Sequence, residues 1–297
     1  MLSKTLVPKK RYFVGYMLPG ILLYTVMTFV PVVMAGYYSL FNWSGGKKMT
    51  FIGLGNFVEM LHDQVFWQAF RNNIYLTVVC AIGQIGLAFF FAMLLNSKCV
   101  KIKGVHRALA YFPVTLSAVV VGFVWTMIYD YNYGLLNEFV KHFLGPDKIK
   151  PWLSDPEHAM FFVSIPIIWQ YIGYYLVIIL SGLTSLDTSV FEAATIDGCN
   201  AFQRTVHVTL PLMKNNLIVC MMLCISGNMK SFDHIFVMTG GGPGTSTNLM
   251  ALHAYKMSFL NYRMGYGTAL SIGILVLSLA IILGFKGIVR IFNKEDD

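Results

Sequence analysis

Five stretches of this chain, residues 12–46, 74–95, 108–129, 159–186 and 264–285, carry no charged side chain. A helix needs ~20 mostly apolar residues to cross ~30 Å of hydrocarbon, so each is long enough to span a membrane. The composition agrees: 12% of residues are charged, against about 25% in soluble proteins. The first run exceeds the required length. Its first two-thirds reads as the span, with Pro19 and Pro31 bending it. The fourth carries Pro166. A sixth span starts near 215 but meets Lys230 soon after, so its helix must continue through Asp233 to about 236. Lys230 and Asp233 are three apart and can pair on one face. The expected fold is an all-α integral membrane protein with six transmembrane helices. It divides into an N-terminal segment with the first span, 1–46, and a five-helix core, 70–290. The outward loops are expected to hold short polar helices at most.

Basic residues orient such a chain, because short cytoplasmic segments collect Lys and Arg. Lys4, Lys9, Lys10 and Arg11 precede the first span; Lys98, Lys101, Lys103 and Arg107 follow the second; Lys286, Arg290 and Lys294 follow the last. Six spans put all three clusters on one side. The loop 130–158 faces the other way, with five acidic residues against three basic. Both termini are therefore expected in the cytoplasm, behind an uncleaved first span. The net charge of +8 serves orientation, not nucleic-acid binding. Cys80, Cys99, Cys199, Cys220 and Cys224 read as small apolar filler, with neither a disulfide framework nor a metal site.

One cytoplasmic stretch, FEAATIDGCNAFQRTVHVTLP (191–211), is too polar to span and too well punctuated for an idle loop. Ser189 and Glu192 fit a capping box, Gly198 suits a left-handed stop, and Asn200 with Gln203 fits a second capping box. Pro211 suits the first turn of the next span. Helices this short are marginal alone and need something to dock on. Ala193 and Ala194 permit close approach, while Glu192, Asp197 and Arg204 offer directional contacts. A helix resting on lipid headgroups would instead want several Lys and Arg and a stronger apolar face.

These residues also carry a resemblance. Glu192-Ala193-Ala194, Gly198 and Val208-Thr209-Leu210-Pro211 resemble the EAA motif, E-A-A-x3-G-x9-I-x-L-P, of ABC importer permeases, with Val208 in place of Ile. TGGGPGTSTN (239–248) and YGTALS (266–271) resemble further stretches of the carbohydrate-type permeases, the maltose-type and glycerol-phosphate-type subunits. The likeness covers spans two to six well and the first more loosely. It implies a bacterial cytoplasmic-membrane importer with a second permease subunit, two cytoplasmic ATPase subunits and an external solute-binding protein. It also implies that loop 187–211 is the coupling helix-turn-helix, which meets the ATPase through Glu192, Ala193, Ala194, Asp197, Gly198, Arg204, Leu210 and Pro211.

The chain has no G-x-x-x-x-G-K-[ST] and no H-E-x-x-H or G-x-S-x-G, so ATP hydrolysis is expected on a partner chain. No cofactor is implied. GGGPG (240–244) lacks the Lys of a phosphate loop and reads as a sharp bend. His234 beside Asp233 is a weak proton-handling candidate, less apt than Asp233 pairing with Lys230 or capping backbone. Intramembrane polar groups usually face a cavity or a protein interior. Gln84, Gln170 with Tyr174 one turn on, and Asn228 are the candidates for a solute path. Amides and aromatics suit a neutral sugar or oligosaccharide, although interhelical hydrogen bonding is the commoner task for such amides. The absence of a basic residue at mid-depth argues against a phosphorylated solute. An ion-coupled secondary transporter is the competing class. It would call for buried carboxylates at mid-depth and inverted repeats, and neither is evident.

Overall fold

Proline placement governs how the spanning helices bend and where they break. The computed structural model describes residues 10–97 and 100–294; Lys4, Lys9, Lys98 and Cys99 lie outside them. Among the described residues, four helices are long and apolar enough to cross a membrane: Val14–Tyr38, Gln64–Asn96, Ala159–Thr184 and Met264–Ile291. Two bent pairs, Lys103–Thr115 with Ala118–Ile128 and Ala201–Leu212 with Lys214–Met229, make six spans if each pair is one.

In the first span Pro19 sits inside the helix without interrupting it. Pro31 follows a single wide π-turn, Thr25–Phe29. A proline clashes with the carbonyl four residues back and offers it no N–H, and a wide turn moves that carbonyl aside. The same device recurs at Thr205–Thr209, just before Pro211. The last third of the uncharged run leaves the helix and pairs Phe41–Trp43 with Met49–Phe51 as an antiparallel hairpin, Phe41 opposite Phe51. This corrects the expectation that the loops hold only helices. Tyr38 stacks on Trp43 with ring centroids 4.5 Å apart, which favours the turn back.

Contacts divide the chain into two units, Met1–Asp63 with Ala254–Leu275, and Gln64–His253 with Val276–Asp297. These boundaries differ from the linear division at 46 and 70, which followed hydropathy and not contacts. In the first unit, helix Gly55–His62 is tied to the start of the last span. Arg263 bonds Glu59 at 2.6 Å, and the Tyr266 hydroxyl donates to Asp63 at 2.6 Å. Asn56 Nδ2 donates to the carbonyls of Ser39 and Phe41, fixing the hairpin's base.

In the second unit the fourth span is central and packs against the second, third and fifth. Pro166 removes the amide that would bond the Phe162 carbonyl, and the Tyr129 hydroxyl donates to that carbonyl instead, at 3.1 Å. The third span departs from the sequence reading. The uncharged run 108–129 is not one helix: it turns by 95° between Thr115 and Ala118. Pro113 sits in a 3₁₀ turn, after which Leu116 and Ser117 are extended. The freed Leu116 carbonyl accepts from Gln170 Nε2 at 2.8 Å, so a break that would be costly in hydrocarbon is satisfied from the fourth span.

The fifth span also differs. Its helix ends at Met229 and does not run on to 236; Lys230 caps it, and a separate helix, Asp233–Met238, follows. Lys230 and Asp233 form no ion pair, and both are exposed. On the other side of the membrane segment Pro211 lies in the last turn of Ala201–Leu212, before the 71° bend, and not in the first turn of Lys214–Met229.

Candidate functional site

Two places concentrate the polar residues singled out by sequence: a cavity among the second, third, fourth and fifth spans, and the punctuated loop after the fourth.

The cavity has a volume of about 550 Å³. Gln84, Tyr174 and Asn228 all line it, with Lys230, Asp233 and His234 around the same space. Gln84 and Asn228 are each positioned by a departure from regular helix, whereas Tyr174 lies within the helix Ala159–Thr184. Gln84 lies in a wide π-turn, Ala81–Ile85, which lets its Nε2 donate to the Ile167 carbonyl at 3.2 Å. Asn228 occupies the last turn of Lys214–Met229, and its Nδ2 donates to the Cys224 carbonyl at 2.9 Å. Tyr174 remains half-buried. Gln170 does not line the cavity. Both ends of its amide are engaged, Nε2 donating to the Leu116 carbonyl and Oε1 accepting from His234 Nε2 at 2.7 Å. His234 is thus buried against Gln170 and not joined to Asp233 as a proton pair. Lys230 puts a basic group on the cavity, where the sequence expected none, and Asp233 offsets its charge.

A pair of residues that the sequence reading passed over holds this region together. Asn73 Nδ2 donates to the Asn228 carbonyl at 2.9 Å, while its Oδ1 accepts from Met250 N–H at 2.9 Å. One side chain thereby serves the end of Lys214–Met229 and the start of a later helix, Met250–Tyr255. Its neighbour Asn72 donates to the carbonyls of Thr245 and Asn248 at 3.1 and 2.8 Å, anchoring the glycine-rich turn. That turn bends as expected: Gly240, Gly241 and Gly244 all have positive φ. Two adjacent asparagines just before the uncharged run 74–95 were the available signal.

In the loop, the helix Thr188–Ile196 begins two residues earlier than expected. Its N-cap is Asp187, whose side chain accepts from Ser189 N–H at 3.0 Å, so the Ser189–Glu192 box does not form. This bond, with the Ser189 side chain, holds the Asp187 carboxyl below the usual range. An Asx turn by Asp187 and a box by Ser189 compete for the same first-turn amides, and the aspartate wins. The stop is as the sequence suggested. Gly198 has φ +79°, Cys199 N–H reaches the Ala194 carbonyl at 3.0 Å and Gly198 N–H that of Thr195 at 3.1 Å, the two bonds of a Schellman motif. The second box is present, with Gln203 N–H to Asn200 Oδ1 at 2.8 Å and Asn200 N–H to Gln203 Oε1 at 2.9 Å. Ala194 is buried, whereas Glu192, Ala193, Asp197 and Gly198 are exposed. Arg204 and Leu210 are half-buried and Pro211 is exposed. Ile196 is 85% and Phe202 75% exposed, so the apolar side chains flanking the glycine turn meet nothing within the chain.

The family model of binding-protein-dependent transport system inner membrane components matches residues 84–295. The chain is 32% identical to the trehalose/maltose transport system permease protein MalF of Thermococcus litoralis, over 90% of this chain and 91% of the relative. It is 30% identical to the sulfoquinovosyl glycerol transport system permease protein SmoG of Agrobacterium fabrum, over 92% of this chain and 88% of the relative. Its fold is similar to a chain in the crystal structure of a bacterial alginate ABC transporter in complex with alginate pentasaccharide-bound periplasmic protein. There the TM-score is 0.82 at 20% identity, covering 96% of each chain.

Proposed function

The chain belongs to the family of binding-protein-dependent transport system inner membrane components, and from that membership we propose that it forms half of the translocation path of an ATP-driven importer for a sugar or oligosaccharide. The observation that carries the solute class is the cavity. Gln84 and Asn228 offer amide donors and acceptors, Tyr174 a flat apolar face, and Lys230 and Asp233 cancel in charge. Such a lining suits neutral hydroxyl-rich molecules. The relative named for trehalose/maltose transport points the same way.

ATP is hydrolysed by two cytoplasmic partner subunits. The coupling element is 187–211, through Glu192, Ala193, Ala194, Asp197, Gly198, Arg204, Leu210 and Pro211. Its support is the exposed, doubly capped helix-turn-helix with Ile196 and Phe202 unburied at the turn. A rigid element of this kind moves as a body with whatever holds it, and rocks the helices it continues into. The termini and this loop face the cytoplasm; 130–158 faces the external solute-binding protein. A second permease subunit completes the path.

The test is uptake of a series of related sugars by the assembled transporter in vesicles, with its solute-binding protein and ATP. Tyr174→Ala and Asn228→Ala should each change sugar preference. Losing one hydrogen bond costs about 0.5–1.5 kcal/mol, a several-fold effect. Basal ATP hydrolysis should persist. Uniform loss for every sugar, with lower thermal stability, would assign these side chains to holding helices together.

A further inference from the structure

A second cavity, of about 510 Å³, lies apart from the first, between the end of the second span, the helix Lys103–Thr115 and the fourth span. Leu94, Leu95, Leu109, Trp169, Ile172 and Leu176 line it, so it is almost wholly apolar. It opens beside a basic segment: Lys101, Lys103, His106 and Arg107 lie at its 100–110 edge. No acidic residue occurs from 64 to 129 or from 158 to 186, the stretches that build the groove, so these cations have no counter-charge on its walls. Arg107 Nε is buried without a hydrogen-bond partner. Lys103 is steered toward the rim by donating to the Asn96 carbonyl at 3.3 Å. Lys101 is exposed.

We propose that this groove binds one anionic phospholipid, its acyl chain along Leu109, Trp169 and Leu176 and its phosphate on Lys101, Lys103 and Arg107. The pairing of an apolar slot with an uncompensated basic rim is what selects a lipid. A sugar would find no amide side chain here and few polar partners for its hydroxyls beyond Trp169 and His106, and an apolar helix of another protein would leave the cations unmatched. Basic pockets between spans on the cytoplasmic side recognise anionic headgroups in this way. The 95° turn after Thr115 makes the slot, by carrying Lys103–Thr115 off the line of its continuation Ala118–Ile128.

The assembled transporter, in detergent, is titrated with phosphatidylglycerol or phosphatidylcholine, and bound lipid is counted by native mass spectrometry. Phosphatidylglycerol should bind preferentially. The Lys101→Ser, Lys103→Ser, Arg107→Gln variant should lose about fivefold in that affinity per charge removed. Leu109→Trp, which fills the slot and keeps the charges, should also weaken binding without changing the lipid-free melting temperature. A photoreactive phosphatidylglycerol with its label on the acyl chain should mark peptides 91–113 and 169–176 of the wild type, a readout that needs no variant. Equal retention of both lipids, a preference kept by the triple variant, or label confined to other peptides would overturn the proposal. So would a preference seen in the isolated chain and absent from the assembly, which would make the groove a subunit interface.

Discussion

Replacing Asn73 with Leu should destabilise the protein more than the same change at Asn72, although both are buried amides on adjacent positions. The reason is the kind of group each leaves behind. Met250 N–H, at the start of its helix, donates to Asn73 Oδ1 and to nothing else. In Asn73→Leu it becomes a buried donor without an acceptor, costing about 1–3 kcal/mol. The Asn228 carbonyl also loses a donor but keeps Lys230 and Ser231 N–H, so its share is about 0.5–1.5 kcal/mol. The sum is about 2–4 kcal/mol. Asn72→Leu takes the acceptor from Gln68 Nε2, on a half-buried side chain that water reaches, and strands no backbone N–H. It removes donors from two carbonyls, and the Thr245 carbonyl retains Asn248 N–H at 3.1 Å. At about 2–4 °C per kcal/mol, Asn73→Leu should lower the melting temperature in detergent by roughly 4–16 °C, and Asn72→Leu by about half. Hydrogen exchange should also place the largest loss of protection at Met250. If Asn72→Leu melts lower than Asn73→Leu, or if exchange at Met250 is unchanged, the capping role drawn from the geometry is wrong.

Two further outcomes follow from particular contacts. Gly173→Ala places a methyl 2.7 Å from Tyr111 Cα and 2.6 Å from the Ala110 carbonyl carbon, both backbone, so the helix Lys103–Thr115 must shift; about 1–3 kcal/mol of stability should be lost, read as a lower melting temperature, and wild-type melting would refute the close approach. The Asp187 carboxyl is held below its ordinary range by Ser189, so its cap contributes fully above the unfolded value of about 4 and is lost as pH falls through the folded value; proteolysis of 187–211 should rise only below about pH 4 and lose that dependence in Asp187→Asn, whereas loosening between pH 7 and 5 would contradict the assignment.

Much of the fold was legible because bilayer thickness leaves a plain mark: the fourth and last spans begin where their uncharged runs begin. Local chemistry was legible too where it is short-range, as with Gly198 and the Asn200–Gln203 box. What failed depends on partners distant in sequence. The break after Thr115 is tolerated because Gln170, 54 residues on, supplies the donor for Leu116. The early end of the fifth helix is tolerated because Asn73, 155 residues back, takes its last carbonyls. Hydropathy sees an uninterrupted run in the first case and a helix short of its length in the second. In the cavity, Gln84, Tyr174 and Asn228 could be picked out as polar groups in apolar spans, but so could Gln170, and only the packing of the spans separates the amides that line the cavity from the one held behind it by Leu116 and His234.

If 187–211 carries ATP-driven motion into the spans, ATP hydrolysis stimulated by the solute-loaded binding protein depends on its capped turn. Gly198 has open space around its Cα, so Gly198→Val clashes with nothing and acts only through the left-handed backbone, at about 1–2 kcal/mol. Glu192→Lys reverses an exposed charge on the same helix. Both variants should reach the membrane, Glu192→Lys melting near the wild type and Gly198→Val roughly 2–8 °C lower, while stimulated hydrolysis and uptake fall together and the isolated ATPase subunits are unaffected. Stimulation and uptake at wild-type levels in both variants would contradict the account.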